Sequence, residues 1–260
     1  MNENDIQMLA QRLYEARKNV KGIEQITHEF KDMSQDDAYK VQWKGIGMRE
    51  ADGEKIIGLK MGLTSEAKRK QMDLDSPLYG VLTDKMKIEN EGEFEMTHQI
   101  HPKIEPEVAF LIGKDLFGTP SREEILGAVE AVYPCMEILD SRYQQFKYFS
   151  MEDVISDNSS SSYFILGNPI KDFDSIPLDK LTMKMKVNGT VAQEGVTDAI
   201  SGDPVISLVQ QYELLAKTGK TLPAGSIVLA GAATPAVALE PGMNVELEVE
   251  SLGNVSVKIK

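Results

Sequence analysis

Met183-Lys184-Met185-Lys186-Val187, then Asn188-Gly189, then Val191-Ala192-Gln193 is the passage that decides the fold. Apolar and polar residues alternate up to a pair favoured in two-residue turns where both positions take positive φ. The passage therefore predicts an antiparallel hairpin. Toward the C-terminus, Val245-Glu246-Leu247-Glu248-Val249 and Val255-Ser256-Val257-Lys258-Ile259 alternate in the same way about Leu252-Gly253-Asn254, which predicts a second hairpin. Toward the N-terminus, short apolar runs punctuated by Gly, Pro and Asn read as strands: Ile56 to Leu59, Tyr79 to Leu82, Glu107 to Ile112, Ala131 to Ile138 and Tyr163 to Leu166. Two helices interrupt them. One follows the capping box Ser121-Arg122-Glu123-Glu124, and the other runs from Asp203-Pro204 to about Lys217.

The beginning of the chain has a different texture. Ile6, Leu9, Leu13 and Tyr14 recur at helical spacing, and Ser34, followed by Asp36 and Asp37, caps a second helical pattern reaching Met48. The reading is an N-terminal helical region over 1–52 and a β-rich domain over 53–260. Helices first and strands afterwards predict an α+β fold and not the alternation of a doubly wound sheet. There is no internal repeat and no glycine-rich nucleotide motif, so nucleotide chemistry has no support.

With 260 residues, 42% hydrophobic and 27% charged, the chain can bury a core without cross-links. Its one cysteine, Cys135, lies in the apolar run Ala131 to Met136 and reads as a buried reduced thiol. Met1-Asn2-Glu3-Asn4-Asp5 has neither the basic nor the apolar part of a signal peptide, and no apolar run reaches membrane-spanning length. The expectation is a cytoplasmic protein. A formal charge of −13 argues against nucleic acid and anionic membrane as partners. An acidic protein that binds an anionic substrate needs a local positive site, which a divalent cation supplies.

His101-Pro102-Lys103-Ile104-Glu105-Pro106-Glu107-Val108-Ala109-Phe110 places two carboxylates on one face at the start of an apolar strand. Either that face is solvated, with Pro106 marking an edge strand, or a cation sits between the glutamates. Glu137 is isolated within Tyr133-Pro134-Cys135-Met136-Glu137-Ile138-Leu139, where an unpaired charge is costly. Arg142 is one candidate partner; convergence with Glu105 and Glu107 on a hard cation such as Mg²⁺ or Mn²⁺ is the other. Lys60 ends the run Ile56-Ile57-Gly58-Leu59 and is read either as a surface lysine or as an active-site group. Asp157-Asn158-Ser159-Ser160-Ser161-Ser162 is a turn or a cradle for a carboxylate. His28, His98 and His101 have no metal-ligand spacing, and no Ser-His-Asp arrangement is present.

Gly58 to Ser65, Pro102 to Phe110, Glu137 to Arg142, Asp157 to Ser159 and the later Leu229-Ala230-Gly231-Ala232-Ala233-Thr234 together resemble the 2-keto-4-pentenoate hydratase/4-oxalocrotonate decarboxylase family, itself related to fumarylacetoacetate hydrolases. The resemblance spans nearly the whole chain. It implies a mixed β-sandwich or β-roll core with a small N-terminal helical part, and a Mg²⁺ site, open also to Mn²⁺, on Glu105, Glu107 and Glu137. It also implies a catalytic or orienting Lys60 and a substrate pocket lined by Leu63, Ser65, Asn158, Ser159, Ser160 and Thr234. The implied substrate is a small unsaturated 2-oxo dicarboxylic acid. A homo-oligomer, in complex with the pathway hydratase, is implied as well.

Within that family, Ser76-Pro77-Leu78-Tyr79-Gly80 carries Leu78 where hydratase-like members tend to place an Asp. Ala67-Lys68-Arg69-Lys70-Gln71-Met72 and Asp140 to Phe146 also look more like the decarboxylase branch. The expected reaction is decarboxylation of 2-oxo-3-hexenedioate, with Leu78 helping to desolvate the departing carboxylate. Hydration of 2-hydroxypenta-2,4-dienoate is the alternative.

Overall fold

The computed structural model describes residues 1–65, 69, 76–146 and 150–260. Helices α1 (Glu3–Lys18) and α2 (Gln35–Ala51) come first, followed by strands β1 (Ile56–Gly62), β2 (Leu78–Thr83), β3 (Lys87–Ile88), β4 (Gly92–Phe94) and β5 (Lys103–Ile112). Next come α3 (Arg122–Ala128), β6 (Val129–Leu139), α4 (Met151–Ser156), β7 (Ser161–Leu166), β8 (Thr182–Val187) and β9 (Thr190–Val196). The chain ends with α5 (Pro204–Ala216), β10 (Ile227–Ala232), β11 (Val237–Ala238), β12 (Asn244–Val249) and β13 (Gly253–Ile259).

Two mixed sheets result among the described residues. One has the order β2-β1-β10-β5-β6-β7-β3, with β11 also on β5, and the other has the order β4-β13-β12-β8-β9. The β1–β10 and β7–β3 pairs are parallel, while β5 is antiparallel to both β10 and β6. Both predicted hairpins form, as β8–β9 across Asn188-Gly189 and as β12–β13. Asn188 and Gly189 have φ of 50° and 79°, the left-handed values that an Asn-Gly turn requires.

Period-two alternation sorts the larger sheet into two faces. Leu59, Met61, Tyr79, Val81, Val108, Phe110, Val132, Met136, Ile138 and Val228 pack with Val245, Leu247, Val255 and Val257 of the second sheet and with Leu208 and Tyr212 of α5, forming the main core. Lys60, Gly80, Glu105, Glu107 and Glu137 alternate with these residues and so occupy the opposite face. Ala109, Cys135, Phe164 and Leu229 fill the deeper part of that face, and Cys135 is a buried free thiol.

Asn2 caps α1 by accepting from the Asp5 N–H, and Ser34 with Asp37 closes a capping box on α2. The buried stripe Ile6, Leu9, Ala10 and Leu13 joins Val41, Leu78, Tyr143, Met151 and Ile155 in a second apolar cluster. No helix among the described residues is long and apolar enough to cross a membrane.

The solvated edge-strand alternative for Glu105 and Glu107 is overturned, because β5 lies inside the sheet with partners on both sides. Pro106 is tolerated there because its carbonyl accepts from Ala233 N at 3.2 Å, at the break between β10 and β11, where no regular ladder calls for the missing N–H. Of the stretch Ala67 to Met72, all but Arg69 lies outside the described residues.

Candidate metal centre

Strand register brings the acidic groups together. Glu105 stands directly opposite Glu137, and Glu107 lies two positions along β5 on the same face. A carboxylate oxygen from each lies within 4.8 Å of the others. Glu107 and Glu137 are fully buried, and Glu105 is half-buried. Like charges opposed across a pair of strands repel, and burial strengthens that repulsion.

Each buried carboxylate is oriented by its neighbours. Glu107 Oε2 accepts from the Gly231 N–H at 2.8 Å, and Glu137 Oε1 accepts from Ser161 Oγ at 2.8 Å. Gly231 has φ +111°, and a Cβ there would lie 2.4 Å from Thr64 Oγ1, so a side chain at this position would both strain the backbone and clash. Lys60, 2% exposed, reaches across from β1 to place Nζ 3.0 Å from Glu137 Oε2, at ion-pair distance and not as an aligned hydrogen bond. Glu107 Oε1 is buried with no hydrogen-bond partner among the described residues.

The electrostatics follow. Burial, then Glu137 and Glu105, push Glu107 well above the usual carboxylate range, against the pull of Lys60 and the Gly231 N–H. For Lys60, burial alone would lower the pKa, but the three glutamates together outweigh it and the ammonium is held above its ordinary value. One ammonium facing three carboxylates leaves negative charge uncompensated. With an orphaned Glu107 oxygen and an all-oxygen donor set, these residues fit a hard divalent cation.

A cavity of about 230 Å³ opens beside this cluster, with Lys60 and Glu105 in its wall. Of the residues expected around a substrate, Leu63, Ser65, Ser159 and Ser160 line it. Leu78, Asn158 and Thr234 do not. Leu78 is fully buried among the helices, where its Cδ1 would meet a Cβ at Gly62 at 2.8 Å. Asn158 stands behind the wall and holds β2 by accepting from Val81 N at 2.7 Å and donating to Val81 O at 2.9 Å. Thr234 packs toward Gly195, and its Oγ1 donates to Pro235 O at 3.3 Å.

Arg142 does not pair with Glu137. Its guanidinium binds the Asp157 carboxylate and the carbonyls of Asp140, Asp157 and Ser161, so the lysine, and not the arginine, is the glutamate's partner. Sequence reasoning missed Leu139, Phe146 and Val154, which supply an apolar wall. It also missed the role of Ser161 beneath Glu137, although the serine run marked the right place. No local signal identifies Phe146, which enters through packing, with Lys103 Nζ 4.3 Å from its ring centroid.

Comparison with known proteins agrees with this geometry. A 4-oxalocrotonate decarboxylase from a Pseudomonas species is 44% identical over 96% of this chain and 96% of its own length. A 2-hydroxyhexa-2,4-dienoate hydratase from Comamonas testosteroni is 33% identical over 97% of each. The structure of 4-oxalocrotonate decarboxylase from Pseudomonas putida G7, complexed with magnesium and adipate, superposes with a TM-score of 0.96 at 36% identity, covering 100% of this chain and 99% of that one. The fumarylacetoacetate (FAA) hydrolase C-terminal family matches residues 60–260, and the chain belongs to that family.

Proposed function

We propose that this protein is a divalent-metal-dependent 4-oxalocrotonate decarboxylase, converting 2-oxo-3-hexenedioate to 2-hydroxypenta-2,4-dienoate and CO₂. The observation that carries the reading is the convergence of three carboxylates and one buried lysine beside a cavity with an apolar wall, in a chain 44% identical to a decarboxylase of that name. Glu105, Glu107 and Glu137 would hold Mg²⁺, the metal in the complexed Pseudomonas putida G7 structure, and Mn²⁺ suits the same oxygen donors. When bound, the metal supplies Lewis-acid stabilisation of negative charge on substrate oxygens.

The substrate is a vinylogous β-keto acid. Cleavage of its C5–C6 bond releases CO₂ and sends the electron pair through the C3–C4 double bond to the 2-oxo oxygen, where a proton completes the dienol. Lys60 sets a fixed positive charge beside the glutamates, where it stabilises the oxygen on which negative charge grows. Leu139, Phe146 and Val154 offer the departing carboxylate no hydrogen bond in place of water, which favours neutral CO₂. The hydroxyls of Ser65, Ser159 and Ser160 are available to orient carboxylate oxygens. Leu78 acts from beneath Gly62, by packing.

Hydration is the competing reading, and it needs a further acid or base in the cavity. The buried aspartates near its walls are already engaged: Asp140 by the Ile100 and His101 N–H groups, Asp153 by Thr27, and Asp157 by Arg142. None of them lines the cavity. Incubating the purified protein with 2-oxo-3-hexenedioate and Mg²⁺, with and without EDTA, tests the choice. Metal-dependent CO₂ release supports decarboxylation; water addition to 2-hydroxypenta-2,4-dienoate without CO₂ release overturns it.

The same reading divides the chain into a helical region at 1–52 and a catalytic domain at 53–260, and places the enzyme in the cytoplasm, in keeping with its single buried thiol. It also makes the protein a homo-oligomer that associates with the pathway hydratase. Exposed Phe117, Val191 and Val196 offer apolar surface for such contacts. Light scattering of the protein alone and with the hydratase tests both associations.

A further inference from the structure

A second cavity, of about 200 Å³, lies against Ser161 and has a different character. Arg17, Arg49 and Arg142 converge on it, and exposed Lys18 and Lys85 rim it, in a chain whose formal charge is −13. Arg49 and Arg142 are only 7% and 5% exposed. Part of this charge is paired: Lys18 Nζ lies 3.2 Å from Asp52 Oδ2, and Arg49 Nη2 donates to Thr83 Oγ1 at 3.1 Å. Arg17 and Arg49 share Glu54, at 3.5 and 2.7 Å, and the Asp157 carboxylate is taken by Arg142. Asp140, the other acid in the lining, points its oxygens at the N–H groups of Ile100 and His101. Among the described residues, Arg17 Nε is buried without a hydrogen-bond partner.

This is the charge inverse of the glutamate cluster: several like charges, two of them buried, gathered around a cavity, with one glutamate shared between two arginines. We propose that the cavity binds a small dianion, either a free oxyanion such as phosphate or a short dicarboxylate, held by Arg17 and Arg49 with Lys85 at the mouth. Planar guanidinium groups suit the paired oxygens of such a ligand. The site is separate from the substrate cavity but shares Ser161 with the metal centre, because that residue lines it while donating to Glu137. The inference does not rest on the decarboxylase reading.

Calorimetric titration of the magnesium-loaded protein with sodium phosphate, and separately with sodium succinate, at fixed ionic strength tests the proposal. Wild type, Arg17→Gln and Lys85→Ala are compared. One saturable site is expected in the wild type for at least one probe, weakened roughly tenfold or more by Arg17→Gln, which removes a charge-assisted donor, and several-fold by Lys85→Ala. The probe that binds more tightly identifies the ligand chemistry. Ligand captured at the glutamates would be blind to both substitutions, so equal affinity in all three proteins overturns the proposal. The absence of saturable binding by either probe does the same. If Arg17→Gln does not fold, Lys85→Ala, at an exposed position, decides alone. Because the readout is binding and not turnover, a failed decarboxylase assay leaves this result interpretable.

Discussion

Replacing Glu107 by Gln should stabilise the metal-free protein while abolishing its response to metal. Glu107 is fully buried, and burial with Glu137 and Glu105 raises its pKa well above the ordinary 4.5. Because the folded value is raised, the stability this carboxyl contributes is complete below 4.5 and is lost as pH climbs toward the folded value. Ionising this carboxyl is therefore disfavoured in the metal-free fold, at about 1.4 kcal/mol for each unit by which the folded value exceeds the unfolded one. Gln keeps an acceptor for the Gly231 N–H and carries no charge. In EDTA, the variant's Tm at pH 7 should therefore rise, by about 2–4 °C for each kcal/mol regained in a chain of this size. Magnesium at a hundredfold excess over Kd should stabilise the wild type by about 2.7 kcal/mol and the variant hardly at all. Metal binding requires the ionised carboxylate, which the raised pKa disfavours, so magnesium affinity should increase with pH. Thermal melts in EDTA and in magnesium across a pH series measure all of this. A variant less stable than wild type in EDTA, or one that keeps its magnesium response, would refute the reasoning.

Lys60→Met should lower kcat by roughly 10²–10³-fold, as the loss of one fixed charge at a reacting oxygen does, while calorimetric magnesium affinity holds or rises because a competing cation has gone. Ser161→Ala removes the donor that orients Glu137 and should weaken magnesium binding by about 10–100-fold, with Ser161→Thr restoring much of it. Gly80→Ala would bring a Cβ to 2.7 Å from Asn158 O and 3.3 Å from Lys60 Cγ; a lower Tm together with a raised substrate KM is expected, and steady-state kinetics with a thermal melt check it.

How much of this was legible depends on whether the signal was local. The hairpin at Asn188-Gly189 and the alternation of β12 and β13 were legible because turn chemistry and side-chain period are written into adjacent residues. Glu105 and Glu107 could be placed on one face for the same reason. What brings Glu137 opposite Glu105 is the register of two strands about thirty residues apart, which periodicity does not encode; there the family resemblance supplied the grouping. The partner of Glu137 was open between an arginine five residues away and the cation site, and the structure adds a lysine from a strand three places away in the sheet, because sheet order is non-local. Pro106 looked like an edge marker because the break between β10 and β11 that accommodates it is invisible in β5 itself. The short helix α4 was missed although Ser150, three residues before Asp153, carried a capping signal.

The segment linking the substrate cavity to the metal centre is also strained. Asn158, Ser159 and Ser160 have φ of 51°, 55° and 54°, three successive non-glycine residues in left-handed backbone at about 1–2 kcal/mol each, less for Asn. Such a run persists only where its surroundings over-determine it. The Asn158 amide bridges Val81 N and O, the Ser160 carbonyl accepts from Asp140 N at 2.8 Å, and Arg142 ties the Asp157 carboxylate to the carbonyls of Asp140, Asp157 and Ser161. The strained turn sets Ser159 and Ser160 in the cavity wall and Ser161 beneath Glu137. Arg142→Met should therefore do more than lose a buried ion pair at about 3–5 kcal/mol. With Asp157 already pushed up to about 6 by burial against the pull of Arg142, removing that pull should leave the acid protonated at neutral pH and the turn without its clamp. The Tm should fall, substrate KM should rise, and magnesium affinity should drop with the loss of Ser161 alignment. Arg142→Lys should rescue little, since one ammonium cannot span three carbonyls and a carboxylate. A variant with a lowered Tm but unchanged KM and magnesium affinity would show that Arg142 only stabilises the fold, and that the left-handed turn holds its shape without it.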